Sequence, residues 1–126
     1  MISIKEVEEV HKMVIEMFGG SHGIRDNNAL ESALARPFQT FDNADLYLNP
    51  IQKAASLIES ILINHPFIDG NKRTGYVLLR MFLIQNGIDI LATQEEKYEF
   101  VIKIASGKIG YDQIVAWLQK YTTKYN

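Results

Sequence analysis

The sequence predicts an all-α protein: a compact helical bundle of about six helices with a central buried helix and a flap ahead of its most polar segment. Three observations lead there. Apolar residues recur at three- and four-residue spacing in nearly every segment, and period-two alternation is confined to one short stretch. Helix start and stop signals bracket the apolar stripes: serine, threonine or asparagine caps, a proline at a first turn, and glycines past the ends.

Ser3 with Glu6 forms a capping box, and Ile4, Val7, Val10, Val14 and Met17 or Phe18 then recur at helical spacing until Gly19 and Gly20. Asn28, with Glu31 three positions on, caps a short second helix that turns Leu30, Ala33 and Leu34 inward before Arg36 and Pro37 end it. Residues 37–49, "PFQTFDNADLYLN", lack a helical stripe and read as a loop or short hairpin, the flap, whose aromatics Phe38, Phe41 and Tyr47 either pack down or receive a target. Asn49 and Pro50 start a third helix, since proline at the first helical position gives up only a donor that would be orphaned anyway. Ile51, Ala54 or Ala55, Ile58 and Ile61 or Leu62 form its stripe, and Pro66 stops it at about His65.

The next helix runs from near Asn71 to Asn86, with Gly87 as its left-handed cap. Between Val77 and Ile84 only Arg80 is charged, so this helix is expected to be covered on most sides. A capping box at Thr93 and Glu96 opens a helix ending near Gly107, and a last helix, "YDQIVAWLQKY", is expected to bury Ile114, Val115, Trp117 and Leu118.

Composition narrows the function classes. A length of 126 residues suits one domain spanning 1–126. With 47% hydrophobic and 22% charged residues and a net charge of −2, the chain is neither disordered nor basic enough to bind nucleic acid through bulk charge. Any anion site must be local. The absence of cysteine excludes disulfides and thiolate-held metals. No apolar run reaches the roughly 20 residues of a bilayer span, and "MISIKEVEEV" has no basic region leading into one, so no membrane role and a cytoplasmic location are expected.

The chemistry concentrates in "HPFIDGNKRTG", residues 65–75, between two hydrophobic helices. The backbone N–H groups of Gly70, Asn71, Lys72 and Arg73 would be the unpaired donors of a new helix, whose dipole favours a phosphate. Gly70 permits close approach or a positive φ, and Lys72 and Arg73 supply a point charge and a planar fork. Asp69 would repel that phosphate unless a cation lay between them, and Mg²⁺ is held in this way by a carboxylate plus nucleotide phosphates. His65, four residues after Ile61, extends the apolar stripe; burial would lower its pKa and keep it neutral, as a general base requires.

Each residue also has a plainer reading. Asp69 could simply cap the helix, and Lys72 with Arg73 could be a solvated first turn, although cations there oppose the dipole and call for an anion. His11 reads as a structural or surface histidine, His22 as a loop residue, and Arg25 with Asp26 as a structural ion pair.

The residues "HPFIDGNKR" resemble the signature of Fic/Doc proteins, whose Fic branch carries H-P-F-x-D/E-G-N-G-R-x-x-R and whose Doc (death-on-curing) branch has lysine in place of the second glycine. "GGSHGIRDNNALESALARP" is similar to the segment before the flap in Doc-type toxins. The resemblance implies an all-helical core, His65 as catalytic base, Asp69 as Mg²⁺ ligand, and Phe67, Gly70, Asn71, Lys72 and Arg73 as the ATP- and phosphate-binding loop.

Lys72 stands where AMP-transferring members have glycine, and Tyr76 where they have a second arginine, so the Doc-type activity is the one implied. That activity is transfer of the γ-phosphate of ATP to a threonine or serine hydroxyl of a translation elongation factor, arresting protein synthesis. Pro66 and Gly70 keep the Fic form. No match to the inhibitory S/T-x-x-x-E-G/N helix is present, which implies a separate antitoxin. The function classes are therefore a phosphotransferase toxin, an AMP or other nucleotidyl transferase, and a catalytically silent helical binding module.

Overall fold

The computed structural model describes residues 2–125. Six helices carry the fold: α1 (Ile4–Phe18), α2 (Asn27–Ala35), α3 (Pro50–Asn64), α4 (Asn71–Gln85), α5 (Gln94–Ala105) and α6 (Tyr111–Tyr121). Two small antiparallel pairs accompany them, β1 (Thr40–Phe41) with β2 (Ala44–Asp45) and β3 (Ile88–Ile90) with β4 (Thr122–Lys124). The class and the helix number are those the sequence predicts.

The helix ends follow their local chemistry. Ser3 and Glu6 exchange side chain-to-backbone hydrogen bonds at 3.0 and 3.2 Å, and Thr93 and Glu96 do so at 2.8 and 3.1 Å, satisfying donors that a helix start leaves open. Asn49 caps α3, with Pro50 as its first residue. For α2 the cap is Asp26 rather than Asn28: its carboxylate accepts the Ala29 N–H at 3.0 Å. The run Asp26-Asn27-Asn28 offers several caps, and the choice falls on Asp26 because its own N–H is bonded to the Pro66 carbonyl, which holds it in extended backbone outside the helix.

α3 packs against α2, α4, α5 and α6. Its small residues Ala54, Ala55, Ser56 and Ser60 are buried together with Leu57, Ile58, Ile61 and Leu62, so neighbours approach it from almost every side. α4 is covered by α1, α3, α5 and β3, as its apolar circumference predicts, with Tyr76, Val77, Met81 and Ile84 half-buried and Arg80 exposed. In α6, Ile114 and Leu118 are buried, whereas Val115 and Trp117 are only half-buried, because Trp117 lies flat on Phe100 (centroids 3.8 Å apart) at the edge of the core.

The flap is a hairpin. Asp42 and Asn43 take φ of 52° and 64°, and a two-residue loop with both φ positive matches the twist of the paired strands. Arg36 ties its base down, donating to the Tyr47 hydroxyl (2.9 Å), the Glu59 carboxylate (2.9 Å) and the Ser60 hydroxyl (3.0 Å), while Tyr47 stacks on Tyr111 of α6. Of the flap aromatics, Tyr47 thus packs down, Phe38 meets Phe82 edge-on, and Phe41 stays 78% exposed. No helix among the described residues is long and apolar enough to cross a membrane.

Arg80 and Asp89 join α4 to β3 through paired hydrogen bonds of 2.9 and 3.1 Å. The Arg80 hydrogen bond holds the Asp89 carboxyl below its ordinary pKa. A lowered carboxyl pKa contributes stability above the unfolded value and loses it as pH falls through the folded one. Asp89→Asn is therefore expected to cost less than about 1 kcal/mol at neutral pH, since the Arg80 end of the pair is exposed and screened by solvent. In urea titrations the gap between the two proteins should close below the ordinary carboxylate range.

Candidate active site

Between α3 and α4 the chain reverses through His65–Gly70, and each residue there has a physical reason for its place. Pro66 cannot continue the helix, and His65 ends it in the left-handed region at φ 47° and ψ 61°. That turn rotates the imidazole off the apolar stripe. His65 is exposed, so the burial expected from its spacing is absent.

Arg25 closes the open end of α3. Its Nε donates to the His65 carbonyl at 2.8 Å and its Nη2 to the Asn64 carbonyl, satisfying acceptors that a helix end leaves free. Arg25 and Asp26 are thus not paired with each other: one closes the end of α3, the other starts α2. The backbone before α2 runs antiparallel to the loop through an Ile24–Phe67 bridge, with Arg25 N–H to the Pro66 carbonyl at 2.8 Å and Ile68 N–H to the Gly23 carbonyl at 3.1 Å.

The loop is fastened from below. Phe67 is 1% exposed and stacks on His11 at 4.2 Å, while His11 Nε2 donates to the Asp69 carbonyl at 2.8 Å. His11 is thus the structural histidine the sequence suggests. Phe67, expected beside the ligand, lies under the loop and does not line the cleft, because the ring is committed to His11. Asn71 pairs twice with the Phe67 backbone, its Oδ1 accepting the N–H and its Nδ2 donating to the carbonyl, both at 3.0 Å. Both bonds turn the Asn71 side chain back onto the loop. Gly70 caps α4 at φ 73° with no side-chain cap, and a Cβ there would lie 2.9 Å from Ile15 Cδ1.

These elements open onto a cleft of about 690 Å³, within the size range of small-molecule sites. One rim carries His65, Asp69, Gly70, Asn71, Lys72 and Arg73, so six of the seven expected residues come together. Asp69 is exposed; its Oδ1 accepts the Gly70 N–H at 2.8 Å and its Oδ2 the Ser21 N–H at 3.2 Å, leaving lone pairs on both oxygens. The Arg73 guanidinium lies over the Phe18 ring, 4.3 Å from its centroid.

The opposite wall comes from α5, with Gln94, Lys97, Tyr98, Val101 and Ile102. Sequence reasoning missed this wall entirely, since nothing in the α5 pattern marks which exposed positions face α4. Among the described residues Asp69 is the one carboxylate in the lining, against three cations, Lys72, Arg73 and Lys97. Among the described residues no cluster of three metal-binding side chains occurs. A single carboxylate with lone pairs free beside an anion site suits Mg²⁺, which is bound through one or two carboxylates together with substrate phosphates.

A family model described as Fic/DOC family matches residues 1–83. "Toxin Doc" of Mycolicibacterium smegmatis (strain ATCC 700084 / mc(2)155) is 35% identical over 103 residues, covering 80% of this chain and 79% of that protein. "Protein adenylyltransferase fic-1" of Caenorhabditis elegans is 29% identical over 70 residues, 55% of this chain. "Protein adenylyltransferase Fic" of Drosophila willistoni is 27% identical over 124 residues, 83% of this chain. The matches span only 14% and 25% of those two longer proteins.

Proposed function

This chain belongs to the Fic/DOC family, and from that premise we propose that it is a Doc-type toxin that transfers the γ-phosphate of ATP to a serine or threonine hydroxyl of a translation elongation factor. Its target would place its action in the cytoplasm, and a separate antitoxin protein would restrain it. The observation that carries the reading is the uncapped first turn of α4, facing the cleft with Lys72 and Arg73 on it and with His65 and Asp69 on the same rim. The 35% identity to a protein named as a toxin, across four-fifths of both chains, supports it further.

The α4 N–H groups and dipole receive the phosphate, Lys72 offers a point charge, and Arg73, steadied on Phe18, offers a fork. The His65 imidazole takes the proton of the attacking hydroxyl. As the hydroxyl oxygen bonds to the γ-phosphorus, the bond from that phosphorus to the bridging oxygen breaks, and ADP leaves. Arg25 holds the backbone from which the imidazole projects and so acts by positioning. Asp69 would hold Mg²⁺, which when bound offsets charge among the phosphate oxygens.

A second reading, AMP transfer, draws on the adenylyltransferase relatives and on Pro66 and Gly70, which keep the Fic form. Incubating the protein with cell extract and ATP, followed by mass analysis, tests both. The expected product is a single phosphate on an elongation factor. An AMP adduct would favour the second reading, and an unmodified proteome with a captured partner would favour a binding module.

A further inference from the structure

We infer that Lys97 is a second phosphate-binding residue of the cleft, supplying from α5 the cation for those phosphates of a nucleoside triphosphate that the α4 N-terminus does not hold. The inference rests on the reading of the cleft as a nucleotide site.

Charge balance comes first. A triphosphate brings several negative charges to a rim that offers Lys72, Arg73 and roughly half a positive charge from the helix end, less the Asp69 carboxylate. The Mg²⁺ that Asp69 would hold adds to that charge, but all of it stands at the α4 end, and among the described residues Lys97 is the one lining cation away from that end.

Position comes second. Tyr76 follows Lys72 by four residues and Arg73 by three, so all three stand on one face of α4 and Tyr76 is one turn further along the cleft. The Lys97 ammonium sits over the Tyr76 ring, 6.0 Å from its centroid. It therefore extends the cationic track by about one helical turn, roughly 5.4 Å, in the direction a polyphosphate chain would run away from His65.

The available alternatives for Lys97 are taken. It is half-buried, and among the described residues it is in no ion pair. Asp89 is near enough to feel its charge but is already engaged by two nitrogens of Arg80. Glu96, the next acid on α5, turns back to cap its own helix at Thr93. Nor can Tyr76 take the phosphate itself. Its hydroxyl is buried without a partner, so it is the ring that serves, as a platform steering the ammonium into the cleft. Lys97 lies beyond residues 1–83, outside the part of the chain that the family model matches.

Calorimetric titration of the intact protein with ATP, ADP and AMP, each with Mg²⁺, tests this in wild type, Lys97→Met and Lys97→Arg. Losing a charge-assisted phosphate contact should weaken ATP and ADP binding roughly tenfold in Lys97→Met. AMP binding should barely change, because the α4 N-terminus takes its single phosphate and leaves none for Lys97, and Lys97→Arg should recover most of the loss. Equal losses for all three nucleotides, or none for any, would overturn the assignment of Lys97 while leaving the nucleotide site intact. Failure of the wild-type protein to bind ATP would instead remove the reading of the cleft on which the assignment rests.

Discussion

His65→Asn is expected to abolish target modification and growth arrest while leaving the fold in place. Removing a positioned general base costs roughly 10²- to 10⁴-fold in rate, which for a toxin is the difference between arrested and growing cells. Asparagine is the informative replacement because His65 has φ 47° and ψ 61°, a conformation that asparagine tolerates and that alanine adopts at a cost. The side chain is exposed, and what the surrounding structure uses at this position is its carbonyl, which accepts from Arg25. Thermal stability should therefore move little. A His65→Asn protein that still modified its target at the wild-type rate would remove the base from the mechanism.

Gly70→Val should have the largest effect on stability, and should disable the site as well. The position lies at φ 73°, and a branched side chain there is strained whatever space surrounds it. The space is also missing, because a Cβ would sit 2.9 Å from Ile15 Cδ1 and 3.7 Å from Val14 Cγ1. Strain and overpacking together should cost on the order of 2–4 kcal/mol, read as a lower denaturation midpoint. The same clash would lift the loop from α1 and strain the His11–Asp69 hydrogen bond that fixes it. Ile15→Val deletes the nearest clashing atom, so combining it with Gly70→Ala should recover part of the stability lost in Gly70→Ala alone. No recovery would place the whole cost in the backbone angle.

Much of this arrangement is legible in the sequence because it is local. Capping boxes act over three residues, Pro50 and Pro66 act on their own turns, and the helix starting at Asn71 carries its open N–H donors wherever it is placed. What escaped was non-local or geometrically fine. β3 pairs with β4 across two intervening helices, and three-residue strands leave no alternation to detect. The burial of Phe67 is decided by His11, itself bonded to a residue 58 positions away. The exposure of His65 follows from one left-handed residue, which helical spacing does not foresee. The α5 wall depends on how that helix rolls against α4, and nothing local in the sequence sets Lys97 apart from a surface lysine.

The roles of Arg25 and Asp26 illustrate the same limit. Their adjacency suggests an ion pair, yet each is used at a different helix end, because the segment between α1 and α2 pairs with the loop through Ile24 and Phe67. That pairing couples the start of α2 to the end of α3, so the His65 backbone is held by a β-bridge, a guanidinium and a proline together.

A phosphate, and not a nucleotide, is expected to leave this cleft on the target. The most direct test incubates the purified protein and the purified target with ATP carrying label at either the α or the γ position. γ label is expected on the target hydroxyl, with α label staying in released ADP. Transfer of α label to the target, with γ label released in diphosphate, would contradict phosphate transfer.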